Sequence, residues 1–177
     1  MKFLLSLLFF TLFIPIQSQE NVTTNDNPIE KLNFLIGTWK GEGWMMNQAG
    51  KQTSKITETA SCKAACSVIA IEGLGVKTDP ETQVETIVHD AFGVIYIDTQ
   101  TNTLAMRAYK DGRANESPIE FIEDKVIRWF IDIPNGSKVR FTSDYSTENK
   151  WVEIGEFSRD GENWVQFLGM ELTKVEN

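Results

Sequence analysis

The sequence predicts an all-β protein: a single antiparallel, up-and-down β-barrel of about ten strands that follows a short N-terminal helix. Three observations predict this fold. Ten short runs are rich in apolar and β-branched residues, which is typical of strands. Turns of hairpin length separate nearly all of them, and no connection is long enough for a parallel crossover. Closing such a meander into a barrel removes the exposed edges that an open sheet would leave.

The first 18 residues have the composition of an export signal. Lys2 supplies a positive charge and residues 3–16 form an apolar run, which is shorter than the roughly 20 residues of a membrane-spanning helix. Ser18 is small enough to precede a cleavage site, so we predict cleavage near Ser18 and Gln19. No cysteine follows the run to carry a lipid. We therefore expect a secreted or periplasmic protein without a stable membrane anchor.

The remaining chain is acidic and of a length that suits one domain. Without Lys2, 16 basic residues stand against 25 acidic ones. Residues 19–27 are polar and unpatterned, which is typical of a flexible linker, and residues 28–177 are assigned to the barrel domain. The negative charge argues against nucleic acid as a partner, and the sequence leaves the oligomeric state open.

A short helix is predicted over residues 28–35, before the strands. Pro28 suits a first turn, and Ile29, Leu32 and Leu35 fall on one face. The predicted strands are 37–46, 52–60, 67–75, 84–98, 103–110, 119–123, 126–133, 138–145, 151–158 and 164–175.

The longest predicted strand, residues 84–98, contains the single histidine of the chain, His89. Gly93 lies in the middle of this strand, where a glycine indicates a bulge or a corner. The strands before and after fold back onto this segment. We therefore expect a functional site, if there is one, to lie near it.

The two cysteines, Cys62 and Cys66, stand four residues apart between two predicted strands. On one continuous strand their Cα atoms would lie about 13 Å apart, too far for a disulfide. A tight turn over residues 63–65 would bring them together, and an oxidising compartment favours the bond. We predict a disulfide at the tip of a hairpin. A metal site is a poor alternative because no further ligands lie nearby.

Several short motifs resemble those of calycin-like barrels, the group that includes lipocalins, fatty-acid-binding proteins and nitrobindin-like haem barrels. The opening segment, 34–43 (FLIGTWKGEG), is similar to their G-x-W strand after a helix. The resemblance is greatest to a secreted bacterial lipocalin-like family of unknown function, and it spans most of the chain after residue 28. It is carried by 89–93 (HDAFG) with Tyr96 and Asp98, by 151–156 (WVEIGE), by Asp160-Gly161 and by 170–174 (MELTK). It implies that Trp39 plugs one end of the barrel.

His89 is the residue that a cofactor or a reaction would use first. In nitrobindin-like barrels the resemblance implies a haem-ligating histidine on a strand near the C-terminus, but residues 164–175 contain none. We therefore expect no cofactor, with haem held by a rearranged ligand as the alternative left open, and no metal, since a single histidine with carboxylates is a weak zinc signal. We favour a structural histidine bonded to a neighbour such as Asp90 or a tyrosine. If the protein is an enzyme, His89 would act as the base and Asp90 would orient it.

A ligand inside the barrel would contact polar groups on an otherwise apolar inner face. Arg107 shares a strand face with Tyr109, and Arg128 alternates with Trp129. If the arginine faces point inward, they can receive a carboxylate; if they point outward, their stems cover apolar neighbours. The sequence leaves both alternatives open. The candidate ligand-binding residues are Trp44, His89, Tyr96, Met106, Arg107, Tyr109, Arg128 and Trp129.

Glu153 and Glu156 stand three residues apart on one predicted strand. Alternation along a strand sends their side chains to opposite faces. One of the two must therefore face an apolar surface unless a bulge intervenes.

These observations favour a secreted barrel that binds a small hydrophobic or amphipathic molecule in its interior without catalysis. A structural or envelope protein with a filled barrel ranks second. A hydrolase or isomerase that uses His89 ranks third, since the chain contains no G-x-S-x-G motif or phosphate loop.

Overall fold

The computed structural model describes residues 27–175. The predicted signal peptide and residues 19–26 of the predicted linker lie outside this range. Over the described residues the protein is all-β, with one short helix and eleven strands in a single antiparallel sheet. None of the described helical segments has the length and apolar character needed to cross a membrane.

The elements match the predicted order, with one strand more than predicted. A 3₁₀ helix spans Pro28–Leu35. The strands are β1 (Gly37–Asn47), β2 (Gly50–Lys63), β3 (Val68–Thr78), β4 (Glu85–Asp98), β5 (Thr103–Lys110), β6 (Arg113–Pro118), β7 (Glu120–Glu123), β8 (Val126–Asp132), β9 (Lys138–Asp144), β10 (Lys150–Ser158) and β11 (Val165–Val175). The additional strand is β6, whose polar sequence lacks the alternation that predicts a strand.

The eleven strands form a nearly closed barrel. Each strand pairs with its neighbours in the chain, except that β1 also pairs with β11 and that β6 and β7 form the two edges of the sheet. The edge strand β6 lies against β8, and side-chain hydrogen bonds join these two strands. The Asn115 amide donates to the carbonyl of Phe130 over 3.0 Å, and the Ser117 hydroxyl accepts from the Phe130 amide over 2.9 Å. The partly buried backbone groups of Phe130 are thereby satisfied.

The helix plugs one end of the barrel. Its apolar residues Ile29, Leu32 and Leu35 recur every third position, which places them on one face of a 3₁₀ helix, and they are at most 1% exposed. They pack against inner-face residues of several strands. The Trp39 indole donates to the carbonyl of Leu35 over 2.8 Å and packs edge-on against Trp151. Trp39 therefore ties the helix to the barrel.

The hairpin between β2 and β3 carries the predicted disulfide. Cys62 and Cys66 are bonded, and their Cα atoms lie 4.6 Å apart. Ala64, Ala65 and Cys66 have positive φ values of 49°, 54° and 62°, which bend the chain tightly enough to bring the sulfurs together. The prediction of a hairpin-tip disulfide is confirmed.

The irregularity predicted at Gly93 lies elsewhere. Gly93 pairs in regular register with Ile71 and with Ala108. The register between β3 and β4 shifts instead between Gly75 and Val76, opposite the segment that contains His89. The bulge prediction at Gly93 was wrong because a glycine within a strand does not by itself fix where the register shifts; a Cβ atom at Gly93 would meet Met106 at an ordinary 3.7 Å.

Candidate functional site

An interior cavity of about 380 Å³ occupies the barrel end opposite the helix. Its walls include the apolar side chains of Met45, Ile56, Leu168 and Met170. The strand pairing places all four on the inner face, since Met45 lies opposite Leu168 and Ile56 alternates with residues that point outward. The volume lies within the range of small-ligand sites in proteins.

Two glutamates from different strands line this cavity. Glu58 of β2 is only 8% exposed, and among the described residues no group donates a hydrogen bond to it or forms an ion pair with it. Glu153 of β10 accepts a hydrogen bond from the hydroxyl of Ser143 over 2.5 Å, and the exposed part of Glu153 faces the cavity. The carboxyls of Glu58 and Glu153 lie at the inner end of this cavity, and together they are called the acidic floor.

Burial changes the protonation of the acidic floor. Desolvation, followed by the charge of Glu153, raises the pKa of Glu58 to about 8. Desolvation raises the pKa of Glu153 to about 7, although the hydrogen bond from Ser143 acts in the opposite direction. A carboxyl with a shifted pKa, a neighbouring carboxyl and a cavity beside it is a candidate for function. Near neutral pH the acidic floor therefore carries less than its full negative charge.

A glycine creates the space for Glu58. A Cβ atom at Gly73 would lie 2.6 and 2.8 Å from the two carboxyl oxygens of Glu58, closer than such atoms approach one another. Gly73 pairs directly with Glu58 across the β2–β3 ladder. The position of the Glu58 carboxyl therefore depends on the absence of a side chain at residue 73.

Two further polar groups near the floor have no partner among the described residues. The Tyr145 hydroxyl and the Trp151 indole nitrogen are buried without a hydrogen bond. Burial and the charges of Glu153 and Glu58 hold the pKa of Tyr145 well above its usual value, so the phenol lies within electrostatic range of both carboxyls. Unpaired buried polar groups are uncommon and often mark functional sites.

His89 faces the same cavity from β4. The Lys110 ammonium and Nδ1 of His89 lie 3.0 Å apart, and because the ammonium is only a donor, Nδ1 accepts and a neutral imidazole carries its proton on Nε2. Desolvation and the Lys110 charge lower the pKa of His89, which agrees with a neutral ring. The partner is thus Lys110; Asp90, the next residue along the strand, is exposed and points to the other face.

Polar and aromatic residues lie around the mouth of the cavity. Trp44 belongs to the strand at the mouth, but its indole lies over Gly169 on the outer face, where the Lys51 ammonium is 4.5 Å from its ring centroid. The Lys77 ammonium, at the rim, donates to the Gln52 side-chain oxygen over 2.6 Å. The cationic groups of Lys51 and Lys77 therefore have partners near the mouth, while the carboxyls of Glu58 and Glu153 lie among the buried residues of the interior.

The sequence-predicted ligand residues fall into three groups. His89 faces the cavity, and Trp44 belongs to the strand at its mouth but places its indole over Gly169 on the outer face. Met106 and Trp129 point inward but pack in the core, with the Trp129 ring stacked on Phe141 at 4.3 Å. The remaining four lie on the outer face, as their alternation with inward-facing neighbours shows; these are Tyr96, Arg107, Tyr109 and Arg128.

The outer-face arginines have partners outside the barrel. Arg107 forms a salt bridge with Glu116 at 3.5 Å, with about half of each side chain exposed. The Arg128 Nε donates to the hydroxyl of Thr142 over 3.3 Å. Of the two alternatives that the sequence leaves open, the structure shows the one in which both arginines point outward.

Glu153 and Glu156 point to opposite faces of β10, as alternation along a strand predicts. Glu153 faces the cavity, whereas Glu156 accepts from Arg140 Nε over 2.6 Å beside Trp164.

Glu58 was missed by sequence reasoning. The available signal was its position two residues from Ile56 and two from Ala60, which placed a carboxyl on an apolar face.

The carboxyl and imidazole groups around the cavity do not form a metal centre. Within residues 27–175, no cluster of three or more His, Cys, Asp or Glu side chains is arranged to hold a metal ion.

Comparisons with known proteins add information on the fold. No family model matches the chain, and no curated protein matches it. Among solved structures it is similar to the crystal structure of Rv2717c from M. tuberculosis, with a TM-score of 0.58 and 10% sequence identity over 84% of this chain and 97% of that chain. At this identity the likeness is one of fold alone. It agrees with a barrel, while the calycin assignment is matched by no family model.

Proposed function

We propose that this protein is a non-catalytic binding protein of calycin type, which holds one small amphipathic molecule in the cavity at the open end of its barrel. The cavity of about 380 Å³ carries this proposal. Its apolar walls suit a hydrocarbon portion and its unpaired polar groups suit a head group, the combination expected of small-molecule sites.

Export of the chain is part of this proposal. The apolar run at residues 3–16 supports a signal peptide that is cleaved near Ser18. The Cys62–Cys66 bond suits an oxidising compartment, such as the periplasm or the extracellular space. A carrier or sensor in that setting would bind its ligand from solution or from a membrane surface, with nucleic acid disfavoured by the acidic charge.

Titration of the full chain with fatty acids, fatty alcohols and alkylamines tests the proposal, with tryptophan fluorescence and native mass spectrometry as measurements. The variant Ser54→Phe, which places a ring in the cavity, should weaken binding at least tenfold. Thr57→Phe on the outer face of the same strand is the matched control and should bind as wild type. A flat fluorescence response together with no bound mass would reject the proposal.

A further inference from the structure

We propose that the acidic floor receives the protonated nitrogen of an amphipathic amine, with the alkyl portion lying along the apolar walls toward the mouth. This inference rests on the proposed function, because it names the ligand class of the same cavity. It is carried by the geometry of Glu58 and Glu153, by the missing partners of Glu58 and by the apolar wall beside them.

The strongest observation is that Glu58 is buried without a partner. The side chain is more than nine-tenths buried and lines the cavity, yet among residues 27–175 it has no hydrogen bond or ion pair. Burying a carboxyl without compensation costs several kcal/mol as a rule. An ammonium group supplies both the opposite charge and up to three N–H donors. Two carboxyls facing one cavity match such a group.

The lysines that border the cavity or contact its lining residues do not serve this role. Lys77 is bonded to Gln52, and Lys110 to His89. Arg107 and Arg128 lie on the outer face. A ligand can therefore supply the cation that these side chains do not bring to the acidic floor.

Other ligand classes fit less well. A fatty-acid carboxylate would meet two acidic groups instead of a basic one. A divalent metal ion needs more ligands than the two glutamates provide, since hard cations take six or more oxygens and the described residues hold no metal-type cluster. A neutral alcohol can bond one carboxyl but gains no charge interaction. The organic ammonium uses both carboxyls.

Binding of an ammonium should be coupled to proton release. At neutral pH the acidic floor is partly protonated, and a cation favours the ionised carboxylates. The titratable and charged groups that face or border this cavity are Glu58, Glu153, Tyr145, His89, Lys110 and Lys77. Above pH 6.5 the pH dependence belongs to the two glutamates, because His89 has a lowered pKa and is neutral there, and burial with the two glutamate charges holds the pKa of Tyr145 well above its usual value.

The test uses octylamine, 1-octanol and octanoate as probes of equal chain length, measured by isothermal calorimetry with the full chain at pH 6.5, 7.5 and 8.5. Octylamine keeps its proton throughout this range, as a lysine does. We expect octylamine to bind at least tenfold more tightly than 1-octanol or octanoate at pH 8.5. Its affinity should rise with pH, and the binding heat should differ between buffers of different ionisation enthalpy because protons are released.

Variants separate the role of the floor from that of the cavity. Glu58→Gln and Glu153→Gln should each weaken octylamine binding at least tenfold and leave 1-octanol binding within twofold. Glu72→Gln, which removes a carboxylate from the outer face of β3, is the matched control and should bind all probes as wild type. Thermal unfolding verifies that each variant is folded.

The other possible results reject either the amine inference alone or the amine inference together with the proposed binding function. If 1-octanol or octanoate binds as tightly as octylamine, or if Glu58→Gln binds octylamine like wild type, the amine inference is rejected and the proposed function stands. If none of the three probes binds, both are rejected.

Discussion

At the scale of single residues, the position of the buried Glu58 carboxyl depends on Gly73, which lies opposite Glu58 on the neighbouring strand. Glu58 places its carboxyl in the space that Gly73 leaves free. A buried carboxyl responds to its surroundings by retaining a proton, and the pKa of Glu58 is accordingly raised by burial. The position of this group therefore rests on a neighbour that has no side chain.

Gly73→Ala should move the Glu58 carboxyl, because the added Cβ atom would lie 2.6 Å from its nearer oxygen. The clash involves the end of a flexible side chain, so we expect a modest loss of stability of about 1–2 kcal/mol but at least a tenfold loss of octylamine affinity. Calorimetry and urea unfolding measure the two effects. Gly93→Ala is the control, since its Cβ atom would meet Met106 at an ordinary 3.7 Å. Equal effects of the two substitutions on octylamine binding would contradict this account.

Residue-level prediction from the sequence was limited by the need for cross-strand partners. Alternation correctly separated Glu153 from Glu156, because it depends only on the strand itself. His89 was identified as a residue of interest, but its contact with Lys110 requires the register of β4 and β5. The orientation of Arg107 was undecidable because both faces of its strand carry apolar residues.

At the scale of elements, strands with apolar patterning and marked turns were predictable, and the polar strand was not. The helix bounds of residues 28–35 agree with the structure, since an apolar residue at every third position defines its buried face. β6 (Arg113–Pro118) becomes a strand through its pairing with β5, a tertiary interaction that local sequence does not encode. The closure of the barrel depends on this unpredicted element.

Ser117→Ala should weaken the seam between β6 and β8. The substitution removes the hydroxyl that accepts from the Phe130 amide, and an unsatisfied buried amide costs about 1–3 kcal/mol. Urea unfolding should show this loss, and the Phe130 amide should exchange its hydrogen faster. Ser61→Ala on β2 is the control, since the Ser61 side chain has no hydrogen bond to other described residues. Unchanged exchange at Phe130 would show that the seam is held by other contacts.

At the scale of the whole molecule, the barrel is divided between a packed end and an open end. The helix and the aromatic cluster of Trp39, Tyr145 and Trp151 fill one end. The cavity occupies the other. The acidic floor lies close to the buried phenol of Tyr145, so ionisation inside the cavity acts directly on the packed half. Stability and ligand binding are therefore coupled through the same two carboxyls.

This coupling predicts that the protein becomes less stable as pH rises from 5.5 to 8.5. The pKa values of Glu58 and Glu153 are raised from 4.5 to about 8 and about 7, so in this window the folded state binds more protons than the unfolded state. Their stabilising contribution is complete below about pH 4.5 and is lost as pH rises through the folded pKa values. The lowered pKa of His89 acts in the opposite direction, and only as pH falls through about 6.5.

We expect the free energy of unfolding to fall by at least about 2 kcal/mol between pH 5.5 and 8.5, since each unit of pKa shift corresponds to about 1.4 kcal/mol. Urea unfolding at the two pH values measures it. The double variant Glu58→Gln/Glu153→Gln should lose most of this dependence, because an amide has no proton to release. General repulsion among the surface charges of this acidic chain is present in both proteins and cancels in the comparison. Parallel pH profiles for the two would mean that the buried carboxyls do not control stability, since only the wild type carries them.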